Sequence, residues 1–118
     1  MEKQEYEFYP VEERPFEPIP GNKVPGLSHR VLAGDPTSDD FTRILKMEPG
    51  TDTTANGVQT HTCWEEVYIL TGSMIDLRLN KEFVAGTYAC RPPGMEHGPW
   101  ISPSGCTTFE CRYSAKKK

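Results

Sequence analysis

The sequence predicts an all-β fold, a small sandwich or barrel, on three observations. Gly and Pro number 10 and 11 among 118 residues, which leaves little room for long helices. From residue 27 onward, turn signals divide the chain into short segments. These segments are rich in Val, Ile, Thr, Phe and Tyr, the residues that favour strands. A chain of this length normally forms one domain around one core, so a two-domain architecture is not expected.

The first 26 residues are predicted to form an extended, proline-rich arm. Prolines stand at positions 10, 15, 18, 20 and 25, and proline is excluded from helix interiors. Aromatic and aliphatic side chains lie between them, too many for a purely solvated tail; they are Tyr6, Phe8, Tyr9, Phe16 and Ile19. We therefore expect the arm, residues 1–26, to pack on the body of the protein or on a partner.

The body, residues 27–115, is predicted to be a succession of strands and turns. Strands are expected at residues 30–33, 41–47, 74–79, 87–91 and 107–113, with a long uninterrupted run at 58–70. Turns are expected at 71–73, 80–82 and 92–94, and a polar loop at 51–57. In the segment 74–79, Ile75, Leu77 and Leu79 alternate with Asp76 and Arg78, the pattern of a half-buried strand. The basic residues 116–118 are expected to be a solvated tail.

Charge and composition argue against several classes of partner. The formal net charge of −4 makes nucleic acid an unexpected partner. No apolar run approaches the roughly 18 residues of a membrane span, and the charged N-terminus does not resemble a signal peptide. The expected location is therefore the cytoplasm, where the four cysteines would remain free thiols; they are Cys63, Cys90, Cys106 and Cys111.

Chemistry-bearing side chains concentrate in two segments. Gln59, His61, Cys63 and Glu65 recur at every second residue, so on a strand all four would face the same way. In the second segment, His97 follows a tight Pro-Gly turn, where a rigid backbone can aim an imidazole. A barrel interior would bring the two segments together.

The second segment resembles a motif of the cupin superfamily, G(x)5PxG(x)2H(x)3N. Gly86, Pro92, Gly94 and His97 stand at the required spacings, and only the final Asn is replaced, by Ile101. This match is specific and covers the motif almost completely.

The first segment is similar to the other cupin motif, G(x)5HxH(x)3–4E(x)6G, in a degraded form. Counting back from Gly72 places the motif's glutamate at Glu65, its second histidine at His61 and its first histidine at Gln59. The loop 51–57 looks like an insertion. Another register would use His61 and Cys63 as the HxH pair with Glu66 as the acid, but its distance to Gly72 is one residue short, which favours Glu65.

The resemblance implies a divalent metal ion bound by His61, Glu65 and His97. Gln59 is then either a weak fourth ligand or a hydrogen-bond partner of substrate or of metal-bound water. Two histidines and one carboxylate are the ligand set of non-haem Fe(II) oxygenases, which leaves positions open for substrate and dioxygen. One ion per chain is expected, with Fe(II) favoured and Zn, Mn or Ni compatible.

Residues 27–113 resemble in particular the ChrR-type cupins, a group that includes anti-sigma-factor domains and is similar to acetylacetone dioxygenase-like proteins. The resemblance implies a single jelly-roll barrel, or double-stranded β-helix. It also implies a dioxygenase-like enzyme acting on a small β-dicarbonyl, enol or hydroxy-ketone, with Gln59 and Glu65 in catalytic roles. Alternatives are a non-redox isomerase, lyase or hydrolase, a non-catalytic binding or sensor module, and a barrel that has lost its metal.

Three further expectations concern the surroundings of the site. Cys63 and Trp100 are candidate lining residues of a substrate pocket, whereas His29 lies in neither motif and is expected to be a surface or structural residue. Because exposed strand edges need covering, a homodimer is expected, with the arm crossing to the partner's sheet.

Overall fold

Eight strands and two short 3-10 turns make up the computed structural model, which describes residues 3–115. The strands are β1 (Leu27–Gly34), β2 (Phe41–Met47), β3 (Thr51–Asp52), β4 (Cys63–Asp76), β5 (Lys81–Val84), β6 (Tyr88–Arg91), β7 (Trp100–Ser102) and β8 (Cys106–Ser114). The turns are Val11–Glu13 and Thr54–Asn56. None of the helical segments within residues 3–115 is long and apolar enough to cross a membrane. The predicted all-β fold class is confirmed, and the tail predicted at 116–118 lies outside the described residues.

The strands form one antiparallel sheet that curls into a barrel. Its order is β1-β2-β8-β4-β7-β3, with β5 and β6 also paired to β4. The fourteen-residue β4 is the central element, because its first half pairs with β6 and β8 and its second half with β5 and β7. Side chains alternate across a strand, so residues 63, 65, 67 and 69 of β4 all face the interior.

The turn predicted at 71–73 is wrong, because β4 continues through it to Asp76. A bulge between Ile69 and Thr71 bends the strand there, and Gly72 adopts a φ of 74°. A Cβ atom at Gly72 would clash with the backbone carbonyl of Gly105, so both the conformation and the space require glycine. The glycine therefore marks the corner at which β4 changes partners.

The strand predicted at 74–79 ends at Asp76, and its buried face is the opposite of the expected one. Asp76 is only 1% exposed, whereas Leu77 and Leu79 are exposed. The Asp76 carboxylate accepts hydrogen bonds from the backbone N–H groups of Arg78 and Leu79, at 2.9 and 3.0 Å, and so fixes the turn that follows. This hydrogen bonding, which hydrophobic alternation does not reveal, decides which face lies inside.

Strand β8 likewise turns polar side chains toward the interior. Thr108 and Glu110 are buried, while Phe109 and Tyr113 are partly exposed on the outer face. The apolar core is correspondingly small and occupies a different part of the barrel interior from these polar side chains. It comprises Leu45, Met47, Ile69, Met74, Trp100 and Cys106. The barrel interior is therefore divided into an apolar part and a part lined by polar and charged side chains.

The arm packs on the body of its own chain, one of the two arrangements predicted for it. Glu17 and His29 exchange backbone hydrogen bonds of 2.8 and 3.0 Å. The Tyr9 hydroxyl donates to the Leu32 carbonyl at 2.8 Å. The arm thus covers the free edge of β1 within one chain, and its crossing to a partner stays a prediction.

Candidate metal centre

Backbone hydrogen bonds hold the two predicted ligand segments side by side. Gln59 and His97 form a bridge in which each N–H donates to the other's carbonyl, at 2.7 and 2.9 Å. The N–H of Gly94 donates to the His61 carbonyl at 2.9 Å. Because β4 begins at Cys63, His61 lies in the extended segment just before it, while Glu65 is the second inward residue of the strand. The Pro-Gly turn and the start of β4 are therefore fixed relative to each other.

The side chains of His61, Glu65 and His97 converge in the barrel. The Nε2 atoms of His61 and His97 lie 3.9 and 3.7 Å from the same Glu65 oxygen, Oε1. One candidate ligand atom from each residue lies within 4.8 Å of the others. Nε2 of His61 is buried and has no hydrogen-bond partner within residues 3–115, an unfavourable state that coordination of a cation would relieve. The group fits a divalent metal ion by donor type, proximity and this unpaired nitrogen.

Both histidines are held in the neutral form, which is the form that binds metals. Burial lowers the pKa of His97 to about 4, and Arg91 acts in the same direction. Burial likewise lowers the pKa of His61, with a further contribution from Arg112. At neutral pH, protons therefore do not compete with a metal ion for the two imidazoles.

Glu65 lies between two arginines in a row across three strands. Its register partners are Arg91 on β6 and Arg112 on β8. Nη1 of Arg91 donates to Oε1, and Nε of Arg112 donates to Oε2, both at 2.8 Å. Burial opposes ionisation of the carboxyl, but Arg112 and Arg91 together lower its pKa to about 2. Glu65 is therefore an anion at neutral pH.

The alternative register based on Glu66 is excluded by the direction of that side chain. Glu66 lies on the outer face of the sheet, where its two carboxylate oxygens accept hydrogen bonds from the hydroxyls of Tyr88 and Tyr113, each at 2.6 Å. A carboxylate on the outer face cannot reach the histidines inside.

A cavity of about 390 Å³ lies beside the candidate metal ligands. The other predicted site residues differ in their position relative to it. Gln59 and Trp100 line it together with the three candidate ligands. The Gln59 amide nitrogen donates to the Asn56 carbonyl at 2.7 Å, and within residues 3–115 its amide oxygen makes no hydrogen bond. Cys63 is buried but is not among the residues that line this cavity.

A second polar cluster, which the motifs did not indicate, lines the same cavity. Arg43 binds Glu110 through Nε and Nη2, both at 2.9 Å, and its Nη1 lies 3.0 Å from Nδ1 of His29. Thr108 donates to the other Glu110 oxygen at 2.7 Å. His29 is thus a buried structural residue, and the alternative that it lies at the surface is wrong. Arg43 and Glu110 stand at inward positions that alternate with outward ones along β2 and β8. This alternation is the sequence signal that could have indicated the cluster.

A smaller, more apolar cavity of about 220 Å³ adjoins the first. The two cavities share Arg91, His97 and Trp100 among their lining residues. Leu79, Phe83 and Met95 contribute apolar surface to the smaller one. A molecule bound beside His97 would therefore have an apolar compartment within reach.

The buried His29 makes stability depend on pH. Burial, followed by the charge of Arg43, lowers its pKa from 6.5 to about 4. Between these values the unfolded chain binds a proton that the folded chain does not, so stability falls as the pH decreases from 6.5 to 4. We expect this residue to contribute a loss of about 3 kcal/mol over that range. Urea unfolding of the metal-free protein at several pH values measures the loss, and in His29→Gln it should be smaller by this amount. An unchanged pH dependence in the variant would contradict the prediction.

A small jelly-roll barrel with a histidine and carboxylate group inside it defines a cupin. The chain belongs to the ChrR Cupin-like family, whose model matches residues 5–115. The match includes most of the arm as well as the barrel. No curated protein matches the sequence significantly.

Solved structures show the same fold at low sequence identity. An RmlC-like cupin from Shewanella frigidimarina NCIMB 400 has a TM-score of 0.71 and 21% identity, over 99% of this chain and 97% of that one. An acetylacetone dioxygenase from Acinetobacter johnsonii has a TM-score of 0.69 and 18% identity, over 92% and 73% of the two chains. The polyketide cyclase RemF from Streptomyces resistomycificus has a TM-score of 0.71 and 18% identity, over 92% and 80%. At these identities the likeness establishes the fold.

Proposed function

We propose that the protein is a mononuclear metal-dependent enzyme that acts in a dioxygenase-like manner on a small β-dicarbonyl, enol or hydroxy-ketone. The observation that carries this proposal is the group of His61, Glu65 and His97 inside a cavity of about 390 Å³. Three protein ligands leave coordination positions open, as a two-histidine, one-carboxylate set does in Fe(II) oxygenases. The cavity is large enough for a compact substrate beside them.

The chain's own residues divide into those that hold the metal and those that hold the substrate. A bound metal ion would supply Lewis acidity and, as Fe(II), reactivity toward dioxygen. His61, Glu65 and His97 would hold it, and the free amide oxygen of Gln59 can accept a hydrogen bond from an enol hydroxyl. Trp100 lines the cavity and contributes apolar surface to it.

A dioxygenase-like activity has further support. One structural neighbour is an acetylacetone dioxygenase, although its identity to this chain is only 18%. All four cysteines are unpaired, which suits a reducing compartment in which Fe(II) persists. We therefore place the proposed activity in the cytoplasm.

Oxygen consumption tests the proposal directly. The protein is reconstituted anaerobically with Fe(II) and then mixed with aerated buffer and a panel of diketones in an oxygen electrode. We expect uptake with at least one diketone, and none from protein loaded with redox-silent Zn(II). A protein that binds Fe(II) but consumes no oxygen with any member of the panel would contradict the dioxygenase proposal.

A non-redox reaction is the second candidate, supported by the likeness to the polyketide cyclase RemF. Polarising a carbonyl group needs no change in oxidation state, so Zn, Mn or Ni would serve an isomerase, lyase or hydrolase at the same residues. Zn(II)-loaded protein that converts a diketone without oxygen would favour this candidate. Zn(II)-loaded protein that binds the compound without converting it would instead favour a binding or sensor module.

We also propose that the protein is a homodimer, formed through the outer face of the sheet. Apolar side chains of β4, β6 and β8 are exposed there, including Tyr68, Tyr88 and Phe109. The one carboxylate between them, Glu66, is already hydrogen-bonded to two tyrosines, which reduces the penalty for covering it. Light scattering should give twice the 13.3 kDa chain mass for the wild type and a monomeric mass for Tyr68→Lys/Phe109→Lys. A monomeric wild type would refute the dimer.

A further inference from the structure

The main cavity is positively charged although the chain is acidic. Its charged lining residues are four basic and two acidic ones: Lys23, Arg43, Arg91, Arg112, Glu65 and Glu110. The whole chain carries a net charge of −4, so the excess of positive charge is specific to the cavity. A divalent metal ion would increase this excess.

Two of the cavity arginines have guanidinium donors that no group within residues 3–115 engages. Arg91 binds Glu65 through Nη1 and Arg112 binds it through Nε, and neither guanidinium makes another hydrogen bond to residues 3–115. Arg43 differs, because Nε, Nη1 and Nη2 are all engaged with Glu110 and His29. Arg91, which is buried, and Arg112, which is partly exposed, are therefore able to receive a ligand, whereas Arg43 is not.

Both guanidinium groups are held in place by aromatic rings. The Arg91 guanidinium lies 5.5 Å from the ring centre of Trp100, and that of Arg112 lies 5.1 Å from the ring centre of Phe41. Such contacts fix the plane of the fork in which arginine binds carboxylates. Arg91 also donates to the same Oε1 atom of Glu65 that both histidines approach. A free cationic donor group thus adjoins the candidate metal ligands.

One arginine would suffice to neutralise Glu65, so the second leaves a surplus charge. An unpaired charge inside a protein is unfavourable unless a counter-ion reaches it. We propose that the substrate is an anion, a small oxo or enol compound with a carboxylate that Arg112 and Arg91 receive through their free donors. This rests on the proposed function for the reacting carbonyl group, whereas the preference for an anion follows from the arginines alone.

A matched pair of probes tests the preference: acetoacetate and its neutral methyl ester, measured by calorimetry on the metal-free and on the Zn(II)-loaded protein. We expect acetoacetate to bind at least about tenfold more tightly than the ester, since charge-assisted hydrogen bonds are roughly twice as strong as neutral ones. Equal affinity, or binding of neither probe to either form, would overturn the proposal. Failure to bind metal or to turn over any substrate, with the preference intact, would count against the proposed function only.

Three variants separate ligand binding from support of Glu65. Arg112→Gln should lose about tenfold in affinity for acetoacetate with little change for the ester, and Arg112→Lys, which keeps the charge without the fork, should lie between. Arg30→Gln, which removes the same charge outside the cavity, should leave both affinities unchanged. Circular dichroism and thermal melts establish that each variant is folded. Should Arg112→Gln and Arg112→Lys bind acetoacetate as well as the wild type, the arginines serve Glu65 alone and the proposal is wrong.

Discussion

Replacing His97 by alanine is expected to abolish metal binding, from about one ion per chain to less than about 0.1. A site with three protein ligands loses most of its affinity for the metal ion when one of them is removed. The change removes one of the two imidazoles that approach Glu65 Oε1. The remaining pair, His61 and Glu65, would have to hold the ion while both Glu65 oxygens are bonded to arginines. Elemental analysis of untagged protein after reconstitution with Fe(II) or Zn(II) measures the loss.

The third histidine provides a matched control. His29 is buried and lines the same cavity, but its Nδ1 is paired with Arg43 and it is not part of the convergent group. His29→Gln should therefore retain the metal content of the wild type. Metal retained by the His97 variant, or lost equally from both variants, would show that the ion binds elsewhere or that the loss reflects general damage to the fold.

Replacing Glu65 by glutamine is expected to destabilise the metal-free protein by about 3 to 5 kcal/mol, the usual effect of removing one partner from a buried ion pair. Glu65 is 2% exposed and is the only acceptor within residues 3–115 for the Arg91 and Arg112 side chains. A neutral amide would leave both positive charges without a counter-charge inside the barrel. Urea unfolding of the two proteins, without metal, measures the difference in free energy.

Two variants sharpen this prediction. Glu66→Gln changes the neighbouring carboxylate on the outer face and should cause a much smaller loss, because its partners are two neutral tyrosine hydroxyls and no charged group loses its counter-charge. Glu65→Gln/Arg112→Gln should be more stable than Glu65→Gln alone, since one of the unpaired charges is removed as well. A double variant less stable than the single one would mean that packing, and not charge, explains the effect.

The candidate ligands could be predicted from the sequence because their spacing along the chain is local. His61 and Glu65 lie four residues apart, one just before β4 and the other near its start, and His97 follows a Pro-Gly turn that fixes its own backbone. The strand Phe41–Met47 was likewise predicted with its correct bounds. In these places the local pattern and the tertiary structure agree.

The arginines around Glu65 could not be predicted in the same way. Arg91 and Arg112 are 26 and 47 residues away along the chain and reach Glu65 only through the pairing register of β6 and β8 with β4. Alternation on β8 showed two faces but not which of them lies inside. Most β proteins bury the apolar face, whereas this barrel turns Glu110 inward because Arg43 and Thr108 provide its hydrogen bonds.

The central claim, one divalent metal ion held by His61, Glu65 and His97, is tested most directly by a crystal structure of the metal-soaked protein with anomalous scattering data. We expect a single strong anomalous peak, bonded to Nε2 of both histidines and to the Glu65 carboxylate, with the fourth neighbour identified as Gln59 or a solvent molecule. The absence of a peak at full soaking, or a peak bonded to other residues, would contradict the claim.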